Sequence, residues 1–90
     1  MIIAVDFDNT LAFTPDYPEI GDPNRELIKK IKFFQKDGAK IMLFTSRSGK
    51  NLKDALEWCA KQGLEFGEVV VKPRADIYID DRALRPEEWL

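Results

Sequence analysis

Two aspartates, Asp6 and Asp8, stand two positions apart directly after the apolar run Ile2-Ile3-Ala4-Val5. A run this short, rich in isoleucine and valine, reads as a strand buried on both faces. Alternation along a strand sends both carboxylates to the same side. Such a pair repels: at ~4 Å the cost runs from about 1 kcal/mol in water to about 4 kcal/mol at an effective dielectric of 20. A cation between the carboxylates relieves it, so the pair points first to a bound cation.

Three further polar clusters each follow an apolar run. Thr45-Ser46-Arg47 follow Ile41–Phe44, Lys72 follows Val69–Val71, and Asp80-Asp81 follow Ile77-Tyr78-Ile79. If the four runs are parallel strands of one sheet, all four clusters reach its carboxyl edge, where α/β sheets bind ligands. Asp6, Asp8, Asp80 and Asp81 gathered there need a hard cation. Mg²⁺ is the natural choice, because it takes a few carboxylates and keeps waters. Lys72 and a hydroxyl at the same edge suit an anionic ligand bridged to the metal, and phosphate fits. Backbone N–H groups near Ser46 to Gly49, opening the next helix, add a positive dipole end.

The elements that must position these groups are legible from period and breakers. Phe7 to Gly21, with Asn9, Thr14-Pro15-Asp16 and Pro18, is a loop over the first strand's carboxyl end. Asp22 as N-cap and Pro23 at the first helical position open a helix. Its core face is Leu27, Ile28, Ile31 and Phe34, its wet side carries Lys29, Lys30, Lys32 and Lys36, and Gly38 ends it. Ala39 to Thr45 is a second strand. Ser48 caps a helix of Gly49 to Gln62, striped by Leu52, Ala55, Leu56 and Cys59 and stopped by Gly63. Glu68 to Val71 is a third strand, broken by Pro73, and Asp76 to Ile79 a fourth. The tail from Arg82 to Leu90 holds one short helix opened by Pro86. The pattern is α/β with a small parallel sheet of about four strands, in a single domain over residues 1–90.

Composition narrows the chemistry. The 90 residues contain no histidine, which excludes histidine bases, histidine-ligated zinc and the Ser-His-Asp triad. One cysteine forms no internal disulfide, and a reducing cytoplasm is the expected setting. The net charge of −2 supplies no bulk attraction to nucleic acid or anionic membrane. The first apolar run lacks a basic flank and meets aspartate at position 6, so it is read as neither signal peptide nor membrane span.

The ordered clusters resemble the haloacid dehalogenase-like (HAD) superfamily of phosphohydrolases. Asp6-Phe7-Asp8-Asn9-Thr10 looks like its DxDxT motif, Phe44-Thr45-Ser46-Arg47 its second motif, Lys72 its lysine, and Ile79-Asp80-Asp81 its terminal acidic pair. The resemblance implies a capless HAD-like fold of strand order 3-2-1-4. It also implies an Mg²⁺-dependent phosphatase acting on a phosphomonoester through an aspartyl-phosphate. In that scheme Asp6 attacks phosphorus and Asp8 carries the proton. Thr45, beside Ser46, and Lys72 hold the phosphoryl group, and Asp80 and Asp81 hold Mg²⁺ with Asp6 and Asp8. The implied partner is a phosphorylated small molecule or nucleic-acid terminus. Two rivals stand beside it. One is a catalytically weak HAD-like module that binds Mg²⁺ and phosphate. The other is a receiver domain, against which the order argues, since a receiver's third strand ends in aspartate and this one ends in Val71-Lys72.

The bland readings are equally definite. Arg47, Arg74 and Arg82 are read as solvated or paired with nearby acids, and Cys59, Trp58 and Trp89 as packing residues. Right-handed crossovers place both helices on one face of the sheet. The other face then needs cover, which the tail with Trp89 or a second copy of the chain, as a homo-oligomer, would supply.

Overall fold

The computed structural model describes residues 1–89; Leu90, the last residue of the tail, lies outside them. Three of the apolar runs pair as strands: β1 (Ile2–Val5), β2 (Lys40–Thr45) and β3 (Glu68–Val71). Three helices accompany them: α1 (Arg25–Lys36), α2 (Gly49–Lys61) and the short α3 (Pro86–Trp89). The strands are all parallel, in the order β1-β2-β3. Ile2 sits opposite Lys40 and Val5 opposite Leu43, while Met42 sits opposite Glu68 and Thr45 opposite Val71. The molecule is a small α/β domain.

This overturns the expected four-stranded sheet of order 3-2-1-4. The sheet has three strands in sequential order. The run Asp76–Ile79 pairs with nothing in the sheet, and Ile77 and Ile79 are 76% and 95% exposed. The reason is chain length. A parallel crossover needs a dozen or more residues, whereas only residues 72–75 separate β3 from this run. The HAD-like resemblance fails at this point. The phosphohydrolase mechanism through an aspartyl-phosphate falls with it, as does the weak module in its HAD-like form with Asp80 and Asp81 on the metal. Both rest on a fourth strand carrying Asp80 and Asp81 to the sheet's carboxyl edge.

Helix α1 starts two residues later than the spacing predicts. Asn24, not Asp22, is the N-cap, and its side chain accepts from the Leu27 N–H at 3.3 Å. Asp22 and Pro23 are taken by the preceding loop: the Asp22 carbonyl accepts from the Phe13 N–H, and Pro23 bridges Ala12. Glu26 in the first turn and Lys36 in the last complement the helix dipole. Gly38 and Gly63 follow the ends of α1 and α2 at φ of 100° and 77°, a region that side chains disfavour.

Burial alternates along the strands. Val5, Ile41, Leu43 and Thr45 are buried on one face, where Leu27, Ile28 and Ile31 of α1 and Ala55 and Cys59 of α2 complete the core. Both helices therefore lie on this face. On the other, Ile2 is 65% and Phe44 37% exposed, Ala4 is exposed, and Met42 and Val70 are half-buried. The tail does not cover them. Trp89 stacks on Phe34 of α1 with ring centroids 5.2 Å apart, and the Lys30 ammonium lies 4.5 Å from its ring centre.

The loop after β1 belongs to the core. Phe7, Leu11 and Ala12 are fully buried, and the Phe7 carbonyl accepts from the N–H groups of Thr10, Leu11 and Ala12. Its return leg runs beside residues 11–13, with the Gly21 N–H donating to the Phe13 carbonyl at 2.9 Å. A β-carbon on Gly21 would lie 2.4 Å from that oxygen. Gly21→Ala should therefore cost about 1–3 kcal/mol, the usual range for forced overpacking, measurable as a lower urea midpoint. Cys59 supplies a second check. Burial pushes its thiol up to about 12, while an unfolded thiol titrates near ~8.5. The stability tied to the neutral thiol is thus present below the unfolded value and declines as pH rises toward the folded one. Thiol labelling at mildly alkaline pH should proceed only as fast as the protein opens.

Candidate functional site

Parallel pairing brings the carboxyl ends of β1, β2 and β3 to one edge. Asp6 and Asp8 follow β1, Ser46 follows β2 and Lys72 follows β3. These four residues line one cavity of about 520 Å³, together with Asn9, Thr14 and Tyr17 from the first loop and Arg74, Ala75, Asp76 and Tyr78 beyond β3.

Asp8 is held by Arg47, the largest fully buried side chain among the described residues. The Arg47 Nε donates to both Asp8 carboxylate oxygens at 3.1 and 3.0 Å, and Nη2 donates to Oδ1 at 2.7 Å. Nη2 also donates to the Pro18 carbonyl at 3.1 Å, and Nη1 to the Asn51 carbonyl at 3.4 Å. The guanidinium lies 5.0 Å from the ring centre of Phe7 and 4.8 Å from that of Tyr17. Two planar forks locked in this way cannot rotate independently. One side chain thereby ties together the β1 end, the first loop and the opening turn of α2.

Asp6 faces the cavity with its side chain about one-third exposed, and its Oδ2 lies 2.9 Å from the Lys72 Nζ. Its Oδ1 accepts from the Phe7 N–H at 2.7 Å. Because β2 separates β1 from β3, Lys72 reaches Asp6 across the end of the central strand. Its ammonium lies 5.3 Å from the ring centre of Phe44 and 4.5 Å from that of Tyr78, which keeps it nine-tenths buried. Arg74 Nη2 bonds the Tyr17 hydroxyl at 3.3 Å. The cavity therefore carries two internal ion pairs, Asp6 with Lys72 and Asp8 with Arg47, and one cation and one anion at its rim, Arg74 and Asp76.

Comparison with known proteins places the fold. No family model matches the chain, nor does any curated protein. A crystal structure of a structural-genomics target from Vibrio cholerae is 28% identical over 98% of this chain and 85% of its own, with a TM-score of 0.78. A conserved protein from Bacteroides thetaiotaomicron is 35% identical over 93% of this chain and 78% of its own, with a TM-score of 0.72. The chain belongs to the family of the Bacteroides protein. The match covers nearly the whole of this chain.

The expected site residues divide. Asp6, Asp8, Ser46 and Lys72 come together at the cavity. Thr45 is fully buried beneath it, and its hydroxyl accepts from the Arg47 N–H at 3.1 Å. Asp80 and Asp81 are exposed and outside the cavity lining. The Arg82 N–H, first, and its contact with Asp81 hold the Asp80 carboxyl below its usual range. Among the described residues no three acidic side chains gather into a ready metal centre.

The sequence does not mark Tyr17, Tyr78 and Thr14 as site residues. Nothing in their local spacing marks them, because they arrive by loop packing. Asn9 carried a signal: its φ of 55° is one that asparagine tolerates better than most residues, and its Oδ1 accepts from the Thr14 N–H at 3.0 Å.

Removing Arg47 leaves a partly buried carboxylate without its partner. Arg47→Ala should lower stability by about 3–5 kcal/mol, the cost of breaking a buried pair. Arg47→Lys should recover only part of it, since an ammonium cannot reproduce the fork. Urea denaturation of the three proteins reads both differences.

Proposed function

We propose that the cavity at the carboxyl edge binds a phosphorylated ligand together with Mg²⁺. The observation that carries this reading is the Asp6–Lys72 pair at the cavity wall, 2.9 Å apart and about one-third open on the Asp6 side. A phosphate dianion entering this cavity meets Lys72 and Arg74, but also Asp6, Asp8 and Asp76. These lining charges sum to −1, and Arg47 behind Asp8 only brings the total to zero, so a dianion needs added positive charge. Mg²⁺ is bound by one or two carboxylates plus phosphate oxygens and waters. Asp6 supplies one such carboxylate and Asp8 stands two residues away. With the metal on Asp6, Lys72 is released to meet the phosphate, joined by Arg74 and the Ser46 hydroxyl. Thr14 adds support: it lines the cavity and buries a hydroxyl with no protein partner.

The volume suits a small phosphate ester or the exposed terminus of a nucleic acid. Among the described residues no helix is long and apolar enough to cross a membrane. The single free thiol, buried in the core, supports a cytoplasmic setting.

Calorimetric titration with Mg²⁺, with inorganic phosphate and with both tests the reading. Phosphate should bind measurably only when Mg²⁺ is present. Asp6→Asn should weaken Mg²⁺ binding about tenfold or more, and Lys72→Ala should weaken phosphate by a similar factor, the scale of a charge-assisted contact. Heats absent for both ions at millimolar concentrations would sink it.

A further inference from the structure

We propose that the open face of the sheet is the seat of a second copy of this chain. The helices cover one face only, and the tail that could have crossed to the other packs on α1 through Trp89 and Phe34. What remains open is apolar: Ile2 and Ala4 of β1, Met42 and Phe44 of β2, and Val70 of β3. The patch continues past the strand ends. Lys72 lies between the rings of Phe44 and Tyr78, which seats the segment around Tyr78, with its exposed Ile77 and Ile79, beside the Phe44 end of the face.

The area fits a dimer. A folded monomer of 10.4 kDa should expose about 5,400 Å² by the relation between surface and mass. The chain exposes 6464 Å², an excess of about 1,100 Å² over that relation. A standard stable interface removes about 800 Å² from each partner. The surplus over the whole chain is thus of the size that one copy of the chain needs to hide.

The charges favour self-pairing. Register places Lys40 and Glu68, both exposed, on this face at its amino end. One charge of each sign on an otherwise apolar patch permits the self-complementarity that a two-fold interface requires. The strand residues of this face (Ile2, Ala4, Met42 and Val70) do not line the ligand cavity, so the inference does not rest on the ligand reading.

Sedimentation equilibrium on the whole chain, from micromolar to near-millimolar concentration, provides the test. The expected mass is twice 10.4 kDa at the upper end. Ala4→Glu, beside Met42 on the open face, should weaken dimerisation about tenfold or more by burying an unpaired charge at the interface. Phe33→Glu, on an exposed position of α1, should leave it unchanged. A wild-type monomer throughout, or a natively folded Ala4→Glu variant that dimerises as tightly as wild type, would overturn the proposal. Should Ala4→Glu lose its native circular dichroism, dilution of the wild-type protein decides. Amide shifts that move on dilution must map to β1, β2 and β3, and shifts confined to α1 and α2 refute the assignment.

Discussion

The buried fork between Arg47 and Asp8 is the contact on which the arrangement of the carboxyl edge depends. A guanidinium fully out of water is costly unless its donors are met. Here they are met by a carboxylate from beyond β1, the Pro18 carbonyl of the first loop and the Asn51 carbonyl of α2. The acceptors come from the two ends of the first loop and from α2, so the charge stays satisfied only when all three are in place. The loop is held from below as well, by Phe7, Leu11 and Ala12 in the core. Asp8 is thereby orientated before any ligand arrives, and Asp6 is left as the more accessible carboxylate.

The two ion pairs at this edge differ in kind. Arg47 is sealed and its partner is fixed, which makes that pair a brace. Lys72 holds Asp6 by one contact at the end of a long flexible stem, cushioned by Phe44 and Tyr78. An ammonium is a point charge that can swing between acceptors, whereas a fork loses its bonds when it turns. The exchangeable pair faces the cavity and the fixed pair lies behind it. The proposed binding of an ion and an anion draws on this division.

The missing fourth strand has consequences at both ends of the molecule. At the carboxyl edge it removes Asp80 and Asp81 from the cavity and leaves Asp76, Arg74 and Tyr78 there instead. Along the sheet it leaves β1 as an edge strand, while the second face lacks cover because both helices lie on the other side. The four polar clusters follow apolar runs in an order that resembles a known superfamily. Yet that order along the chain does not place the last cluster, because placement depends on whether the connection can span the sheet.

Much of the local structure was written in the sequence. The glycines that stop both long helices, the third strand at Glu68–Val71, and the apolar stripes of Leu27, Ile28 and Ile31 and of Ala55 and Cys59 all follow from short-range periodicity and backbone freedom. These are properties of residues a few positions apart. The start of α1 shows where that ends: Asp22-Pro23 is a good helix opening locally, but Phe13 and Ala12 claim both residues for the loop. The presence of Asp6, Asp8, Ser46 and Lys72 at one edge needed only parallel pairing of three runs. Tertiary structure alone decided that Thr45 turns inward to the Arg47 amide, that Arg47 is buried rather than solvated, and that Tyr17 and Tyr78 wall the cavity. It also decided that Asp76–Ile79 stays out of the sheet. Each of these depends on contacts between residues far apart in the chain, where loop length and burial decide and local spacing does not.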